Sequence, residues 1–381
     1  MKKSLLALAV LGAFATGAQA QTNVSIGGIL QANVKSYKIS NTTRVAKNEV
    51  RIDDDYNSRF WLTGTEDLGG GLSALFYVEN RFNTDQRQST GGATGAGLAD
   101  GDTFVGLKGA FGQVTAGKHS WMSVQGLTTE FVSASGNLLS MPTSMTATFS
   151  ILDQAGGYLD TTRRVNSITY RSPVISGFNG VVGVSTASAG AEGTINGTGT
   201  YADGREYYLQ GGYNNGPLAL GLAYRNFTAE GRPAAGVDDK QLRFTGSYKF
   251  QGFKVGLMAD RAERENVLGG GKSKRTAWSI PVSYVFGNST VLASFTKAGD
   301  LSVGATNTGA NTGKDTGAKL WTLGYDYALS KRTNVGVFYS RLDNDARGQY
   351  VPFLSGLSFT GSAPVAGETA STFALGVKHT F

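Results

Sequence analysis

The sequence predicts an all-β fold, a sixteen-stranded antiparallel transmembrane β-barrel. Three observations predict it: an N-terminal export signal, amphipathic strands with a two-residue period, and connections that alternate between short turns and long polar loops. A bilayer core contains no water, so a chain that crosses it must pair its backbone N–H and C=O groups internally, as helices and closed sheets do. Beyond the signal there is no run of eighteen apolar residues that could form a spanning helix, which leaves the closed sheet.

The first twenty residues are typical of a Sec signal peptide. Lys2 and Lys3 precede an apolar run from Leu5 to Ala15, and the small residues of "AQA" at 18–20 form a cleavage site. The run is too short to span a bilayer as a helix. We therefore expect residues 1–20 to be removed and residues 21–381 to form a single barrel domain.

The composition and net charge of the chain limit the kinds of partner that it can bind. Loss of Lys2 and Lys3 changes the 35 basic residues to 33 against 28 acidic residues, a small surplus without any basic run longer than two. An exported chain with this pattern is not expected to bind nucleic acid. The chain has no cysteine, so its stability must come from backbone pairing and size. Its 54 glycines follow no collagen period and indicate many turns and close-packed strands.

Segments of about ten residues alternate between apolar and polar side chains. In "LSALFYVENRF" at 72–82, Leu72 and Val78 lie on one face while Glu79 and Arg81 lie on the other. The same pattern recurs in "KQLRFTGSYKF" (240–250), "TAWSIPVSYVF" (276–286) and the closing "STFALGVKHTF" (371–381).

Seven short turns alternate with eight long polar loops and so separate sixteen strands, which is the topology of an outer-membrane barrel. A soluble β-sandwich or a β-solenoid adhesin would also alternate. However, aromatic residues cluster near the short-turn ends, where an interfacial girdle would lie, and this favours the barrel. These residues are Phe250, Phe253, Phe286, Tyr325, Tyr327 and Phe381. The turns lie at 68–71, 110–113, 174–180, 214–217, 251–252, 287–288 and 330–333, and the loops at about 38–56, 83–101, 121–162, 188–204, 229–238, 264–274, 300–316 and 344–370.

Four segments together resemble a known family. They are "SRFWLTGTEDLGGGLSALFYVENRF" (58–82), "DTFVGLKGAFGQVTAGKHS" (102–120), "RRVNSITYRSPVISGFNG" (163–180) and the closing "LGVKHTF". They look like the general diffusion porins of Gram-negative bacteria. The resemblance implies an outer-membrane homotrimer of sixteen-stranded barrels, each with a water-filled pore narrowed by an inward third loop, which passes small hydrophilic solutes.

Since apolar residues face lipid, the alternate positions of each strand face the lumen. A surplus of fixed basic charge in a water-filled channel attracts anions over roughly 8 Å at physiological salt, so a mild anion preference is expected. The predicted inward bases are Arg59, Arg81, Arg163, Arg171, Arg225, Arg243, Lys254 and Lys378, and the predicted inward acids are Glu79, Glu206, Asp260 and Asp326.

The family resemblance implies that Arg59 and Arg163 lie at the constriction. The basic residue that the family has before "VGLKG" is absent near Gly101, so fewer basic wall positions are present than is typical. The third loop, 121–162, is unusually apolar and is expected to be ordered and folded into the barrel. Its "TTEF" makes Glu130 the candidate counter-charge, although Asp153 and Asp160 compete, and Glu130 could instead anchor the loop to the wall.

Three further functions have candidate residues. A barrel enzyme would need a base such as His119, which neighbours Ser120 but shows no third partner. The run Asp53–Asp55 could hold Ca²⁺ loosely, although a solvated acidic loop also accounts for it, and no other cofactor is expected. The alternative function is a substrate-specific channel for a sugar or small organic anion, which would use inward aromatic residues. The candidates are Trp61, Tyr77, Tyr208 and Phe338.

The C-terminal strand has two expected roles. It must pair with the first strand, "NVSIGGILQANV", to close the ring without an exposed edge. The terminal Phe381 resembles the signal by which the barrel-assembly machinery recognises its clients. Lipid and lipopolysaccharide of the outer membrane are the other expected partners.

Overall fold

The computed structural model describes most of the chain after the signal. The described residues are 23–43, 48–53, 58–82, 84, 99–121, 164–186, 205–228, 237–266, 271–303, 313–350 and 365–381. They form eighteen β-strand segments in one antiparallel sheet. The segments are β1 (Asn23–Ser40), β2 (Asn48–Asp53), β3 (Arg59–Gly69), β4 (Leu72–Arg81), β5 (Thr103–Gly109), β6 (Gly112–His119), β7 (Arg164–Arg171), β8 (Phe178–Ser185), β9 (Arg205–Asn215), β10 (Leu218–Thr228), β11 (Val237–Phe250), β12 (Phe253–Asn266), β13 (Lys272–Phe286), β14 (Ser289–Ala298), β15 (Ser302–Val303), β16 (Ala318–Ala328), β17 (Thr333–Asn344) and β18 (Thr369–Thr380).

The eighteen segments make sixteen wall strands. Both β2 and β3 pair with β1, one after the other along its length, so together they form one wall strand. In the same way β14 and β15 both pair with β13. Each wall strand pairs with its sequence neighbours, and β18 pairs with β1, which closes the ring. The predicted closed sixteen-stranded antiparallel barrel is therefore confirmed.

The closing seam joins the two ends of the described chain. β1 and β18 pair from Ile29 opposite Thr380 to Ser40 opposite Thr369. At the end of the seam the Gly28 amide donates to the Phe381 carbonyl at 3.0 Å, and the Phe381 amide donates to the Gly28 carbonyl at 3.1 Å. Because the seam satisfies these backbone groups, the ring has no free edge there.

Side chains alternate across the wall as the sequence predicts. On β10, Leu222 is 52% exposed on the outer surface whereas Ala223 and Arg225 are buried on the inside. The outward positions of the wall are mainly apolar, and many inward positions are polar or charged. A strand with this alternation suits a wall with lipid on one side and water on the other.

The short turns lie at one end of the barrel. At the β11–β12 turn, Gln251 and Gly252 both have positive φ values of 44° and 85°, which allows a two-residue reversal. Next to it lies a series of outward rings, in which the Phe250 and Phe253 centroids are 5.3 Å apart and those of Phe253 and Tyr284 are 4.3 Å apart. These rings form the expected interfacial girdle. In the part of the chain that the structure describes, no helix is long and apolar enough to cross a membrane.

Several strands extend further toward the long loops than the sequence predicts. The loop predicted at 38–56 contains the end of β1 and all of β2. Asp53 therefore ends a strand, whereas the prediction placed it in a loop. The pairing of β1 with β2 accounts for the difference, because backbone hydrogen bonds between neighbouring strands continue through polar sequence.

Candidate pore lumen

Inward polar side chains define the lumen. Among the described residues, seven basic and six acidic side chains are buried on this face or at its mouth. The bases are Lys35, Arg225, Arg243, Lys254, Arg264, Arg275 and Lys378, and the acids are Glu79, Glu206, Asp239, Asp260, Asp326 and Glu368. Arg59 and Arg81 occupy partly buried inward positions, and Arg171 occupies an exposed inward position. Among the buried side chains, bases thus outnumber acids by one.

On the wall from β9 to β12, bases and acids are matched across neighbouring strands. Arg243 of β11 lies opposite Asp260 of β12 and donates to it at 2.8 Å. Gln241 also donates to Asp260, at 3.0 Å. The Arg243 side chain is 0% exposed, so its charge is compensated where it lies. Two more such pairs are Arg264 with Asp239 at 2.8 Å and Arg225 with Glu206 at 3.3 Å.

A second group of charged side chains lies on β3 and β4. Arg59 and Arg81, both predicted to be inward, are directly opposite each other. Arg81 forms a 2.7 Å ion pair with Glu79, and the Tyr77 hydroxyl donates to the other Glu79 oxygen at 3.2 Å. Glu79 therefore places an acid beside two adjacent arginines. Like charges directly opposite each other repel, and the nearby acid reduces that repulsion.

Gly101 shows why a basic residue is absent before "VGLKG". The Gly101 amide donates to the Glu79 carbonyl at 2.9 Å, and the Glu79 amide donates to the Asp102 carbonyl at 2.9 Å. A Cβ atom added at Gly101 would overlap the Glu79 side chain. The position is occupied by the neighbouring strand, so no side chain fits there.

Lys378 of β18 lies on the inner wall beside this group. Its strand partners are Gln31 on β1 and Asn334 on β17. It lies within electrostatic range of both Arg59 and Asp326. The Asn334 amide donates to Asp326 at 2.8 Å, which fixes the nearest acid. Lys378 and Arg59 thus lie near each other on the inner wall.

The start of the third loop lies inside the barrel. Trp121 follows β6 and is 4% exposed. Its ring stacks on Tyr208 of β9 with centroids 5.6 Å apart, and its Nε1 donates to the Thr169 hydroxyl at 2.9 Å. The ring also covers Gly183 of β8, where a Cβ would overlap it. Arg163, Glu130, Asp153 and Asp160 lie outside the described residues.

His119 and Ser120 do not form a catalytic pair. The two ring nitrogens of His119 contact the Thr115 hydroxyl at 2.9 Å and the Ser167 hydroxyl at 2.7 Å. Ser120 donates instead to the Asp102 carboxylate at 2.5 Å. Since Ser167 donates to the Gly117 carbonyl, its oxygen accepts from His119 Nδ1, and Nε2 is left to accept from Thr115. The imidazole therefore joins β6 to β7.

An unpredicted feature lies at the mouth with the long loops. The segment after β17 turns back over the lumen, and Asn344 holds it by exchanging hydrogen bonds with the Tyr350 backbone at 2.8 and 2.9 Å. The Tyr350 ring is buried, with the Arg275 guanidinium 5.1 Å from its centroid. Burial raises the pKa of the Tyr350 phenol, and the Arg275 charge offsets part of that rise. The described part of the loop predicted at 344–370 is a loop, and its Tyr350 covers an inward apolar cluster that includes Tyr37 and Leu342.

The structure describes only the first residue of the acidic run Asp53–Asp55. Asp53 ends β2, and Asp54 and Asp55 lie outside the described residues. In the described ranges no group of three acidic or histidine side chains is arranged to hold a metal ion. Loose Ca²⁺ binding at Asp53–Asp55 stays a prediction.

Sequence reasoning missed some lumen residues because it ended strands too early. Lys35 continues the inward alternation of Gln31 and Asn33 on β1, and its ammonium lies 5.9 Å from the Phe338 ring centroid. Arg264 lies near the end of β12, in a region that was predicted to be a loop. Extending the two-residue period past the first polar residue would have found both.

Comparisons with known proteins agree with this geometry. A family model described as Gram-negative porin matches residues 7–347. The outer membrane porin protein 32 of Delftia acidovorans is 31% identical over 389 residues, with all of both chains covered. An outer membrane porin protein of Bordetella pertussis is 30% identical over 385 residues, covering 91% of this chain and 95% of that protein.

Solved structures share the fold. An anion-selective porin from Comamonas acidovorans superposes with a TM-score of 0.71 at 26% identity, over 95% of this chain and 100% of that one. The trimer form of OmpT from Vibrio cholerae superposes with a TM-score of 0.65, over 94% of this chain and 99% of that one, at 14% identity. At that identity the second likeness concerns the fold alone.

Proposed function

The chain belongs to the Gram-negative porin family, and from this premise we propose that its lumen gives a mild preference to anions. It is a general diffusion porin of the outer membrane: a closed barrel with a polar interior through which small hydrophilic solutes and ions pass passively. The observation that carries the anion preference is the basic surplus of the inner wall. The similarity to an anion-selective porin at 26% identity supports it.

The inner wall still has more basic than acidic side chains when its ion pairs are left out of the count. Four pairs, formed by Arg81, Arg225, Arg243 and Arg264 with acids, contribute equal numbers of opposite charges. Among the buried side chains outside those four pairs, the bases are Lys35, Lys254, Arg275 and Lys378 and the acids are Asp326 and Glu368. Their fields extend across a water-filled pore by about 8 Å at physiological salt. Because most strongly buried charges are matched, the preference should be mild.

Charge variants test this proposal. Neutralising Arg59 and Lys378 together (Arg59→Gln with Lys378→Gln) should lower the chloride-to-potassium permeability ratio by about two- to threefold, as expected when a local potential falls by about half a kT, since it acts on anions and cations in opposite directions. The measurement is the zero-current potential across a planar bilayer under a salt gradient.

The matched control removes two charges without changing the net charge. Arg243→Gln with Asp260→Asn breaks a compensated pair and should leave the permeability ratio nearly unchanged. If the control shifts the ratio as much as the first double variant, pore charge does not set selectivity in the way proposed.

The third loop is proposed to narrow the lumen. Trp121, the last described residue before it, is buried against β7, β8 and β9 on the inner wall, so the loop begins its path inside the barrel. Its apolar composition suits a packed segment. Arg163 and Glu130 are proposed to face each other at the narrowing.

The assembly is proposed to be a homotrimer. The support is family membership and the trimer form of a structural neighbour with the same fold. Cross-linking of the purified protein followed by mass measurement would give three chains per assembly. The barrel-assembly machinery is the proposed partner of the C-terminal strand.

No catalytic role is proposed. The family and the fold are those of channel proteins. His119 has both ring nitrogens engaged within the wall, and Ser120 is held by Asp102, so neither is arranged as a nucleophile with its base. A substrate-specific channel is not favoured by any of the contacts of the inward aromatic residues.

A further inference from the structure

Two lysines lie directly opposite each other on the outside of the barrel. Lys297 of β14 and Lys319 of β16 are strand partners, and both are exposed. They occupy the outward positions of their strands, since Val291 and Trp321, an even number of residues away, are exposed on the same face. Like charges directly opposite each other on one face destabilise a sheet. A partner outside the protein would relieve that repulsion.

On the neighbouring strands, basic side chains of the outer surface lie opposite acidic ones. On β11 to β13, Glu263 lies between Lys240 and Lys274 in the pairing, and its carboxylate is 3.8 Å from the Lys274 ammonium. Lys272 is likewise opposite Glu265, with 3.6 Å between their charged groups. Arg261 also donates to Glu263, at 2.7 Å. Four bases thus share three acids there, and the surface charge is largely balanced; the bases are Lys240, Arg261, Lys272 and Lys274, and the acids are Asp238, Glu263 and Glu265.

Acids are fewer around Lys297 and Lys319. The other strand neighbour of Lys297 is Trp278. The other neighbour of Lys319 is Asp343, whose carboxylate accepts from Arg341 at 2.9 Å. Neither lysine forms an ion pair in the ranges that the structure describes. The patch formed by Lys297, Lys319, Arg341 and Asp343 thus has three bases and one acid, a net charge of about +2, and its acid is paired with Arg341.

The patch lies at headgroup depth. A second ring of outward aromatics lies below the lysines on the same strands, in which Trp278 and Phe295 are 5.4 Å apart and Trp321 and Tyr339 are also 5.4 Å apart. Tyr327 belongs to the girdle near the short turns. The length of β16 between Tyr327 and Lys319 is roughly 26 Å, at about 3.3 Å per residue. With a strand tilt of about 40° this is ~20 Å along the membrane normal, close to the height of the apolar band of an outer-membrane barrel. Lysine side chains at that level extend into the polar layer.

We propose that Lys297 and Lys319 bind the phosphate of a lipid headgroup in the outer leaflet, with Arg341 at the edge of the site. A phosphate between the two ammonium groups replaces their repulsion by two charge-assisted contacts, and lysine is a common phosphate ligand. The aromatic ring beneath contacts the upper part of the acyl chains. The site is on the outside of the wall at the long-loop end, and it does not depend on which solutes pass through the lumen.

The test uses the folded protein in detergent micelles with purified diphosphorylated lipid A as the probe, and counts bound lipid by native mass spectrometry. The variant Lys297→Gln with Lys319→Gln should weaken binding by about tenfold or more, the effect of losing two charge-assisted contacts. The control Lys272→Gln with Lys274→Gln removes the same charge from the balanced surface of β13. It should change the affinity less than twofold.

Three results would overturn the proposal. The double variant could bind lipid A as tightly as the original protein, or the control could lose as much affinity, which would mean unspecific attraction. Inorganic phosphate could displace the lipid at comparable concentration, which would make this a free-anion site. Dephosphorylated lipid A should bind as weakly to the original protein as lipid A binds to the variant. Folding is checked by heat-dependent gel mobility, and the single variants Lys297→Gln and Lys319→Gln serve if the double variant misfolds.

Discussion

At the scale of single residues, several glycines are fixed by a ring on the adjacent strand. Trp61 covers its strand partner Gly27 on the inside, and Phe76 covers its strand partner Gly64 on the outside. At the seam, Phe381 covers Gly28, and an added Cβ would overlap its ring. The sequence shows the residues but not the pairing. The pairing supplies the reason for glycine there.

Gly28→Ala should therefore destabilise the closed barrel, by about 1 to 3 kcal/mol as for other overpacked sites. The measurement is the temperature at which the folded band is lost in heat-dependent gel mobility. Gly211→Ala on β9 is the control, because nothing lies within 4 Å of an added Cβ there. Equal behaviour of the two variants would contradict the role given to the Phe381 ring.

At the scale of elements, the inner wall was easier to predict than the segments that cover it. Alternation placed Arg59, Arg81, Arg243 and Lys378 on the inner face, because a strand's period determines its faces once lipid is known to lie outside. It could not show that Asp260 neutralises Arg243, since which strand positions are opposite depends on register. Nor could it place Tyr350, because a loop's path is set by long-range contacts.

A variant of Trp121 tests how the third loop is positioned. Trp121→Ala removes the stack on Tyr208 and the hydrogen bond to Thr169 that hold the start of the third loop to the wall. Single-channel conductance should rise or become noisier, because the loop would occupy the lumen less uniformly. Trp278→Ala, which removes a ring from the outer face, should leave the conductance unchanged. A Trp121 variant with an unaltered current would show that the loop's position does not depend on this contact.

At the scale of the whole molecule, closure between the first and last strands makes the chain a channel. The alternation of short turns with long loops predicted sixteen wall strands, and the pairing of β1 with β18 confirms that they form a ring. The number of wall strands could be predicted from the sequence because each strand is about as long as a tilted membrane crossing. The extensions of β1, β11 and β12 could not be predicted, because they continue above the apolar band, where the outward face need not be apolar.

Deletion of Phe381 should reduce assembly far more than selectivity. The deletion removes two backbone hydrogen bonds to Gly28 at the seam and the terminal aromatic residue expected to be read during insertion. The yield of heat-modifiable protein in the outer membrane should fall severalfold, while the protein that does assemble should keep its permeability ratio. A variant with normal yield and altered selectivity would reverse this assignment.

The central claim is that the closed barrel is a water-filled diffusion channel whose basic inner wall favours anions. The direct measurement is the current through the purified protein in a planar bilayer under a potassium chloride gradient. The proposed homotrimer predicts stepwise conductance in groups of three, and the basic inner wall predicts a zero-current potential whose sign corresponds to modest chloride preference. Absence of conductance, or a potential of the sign expected for potassium preference, would contradict it.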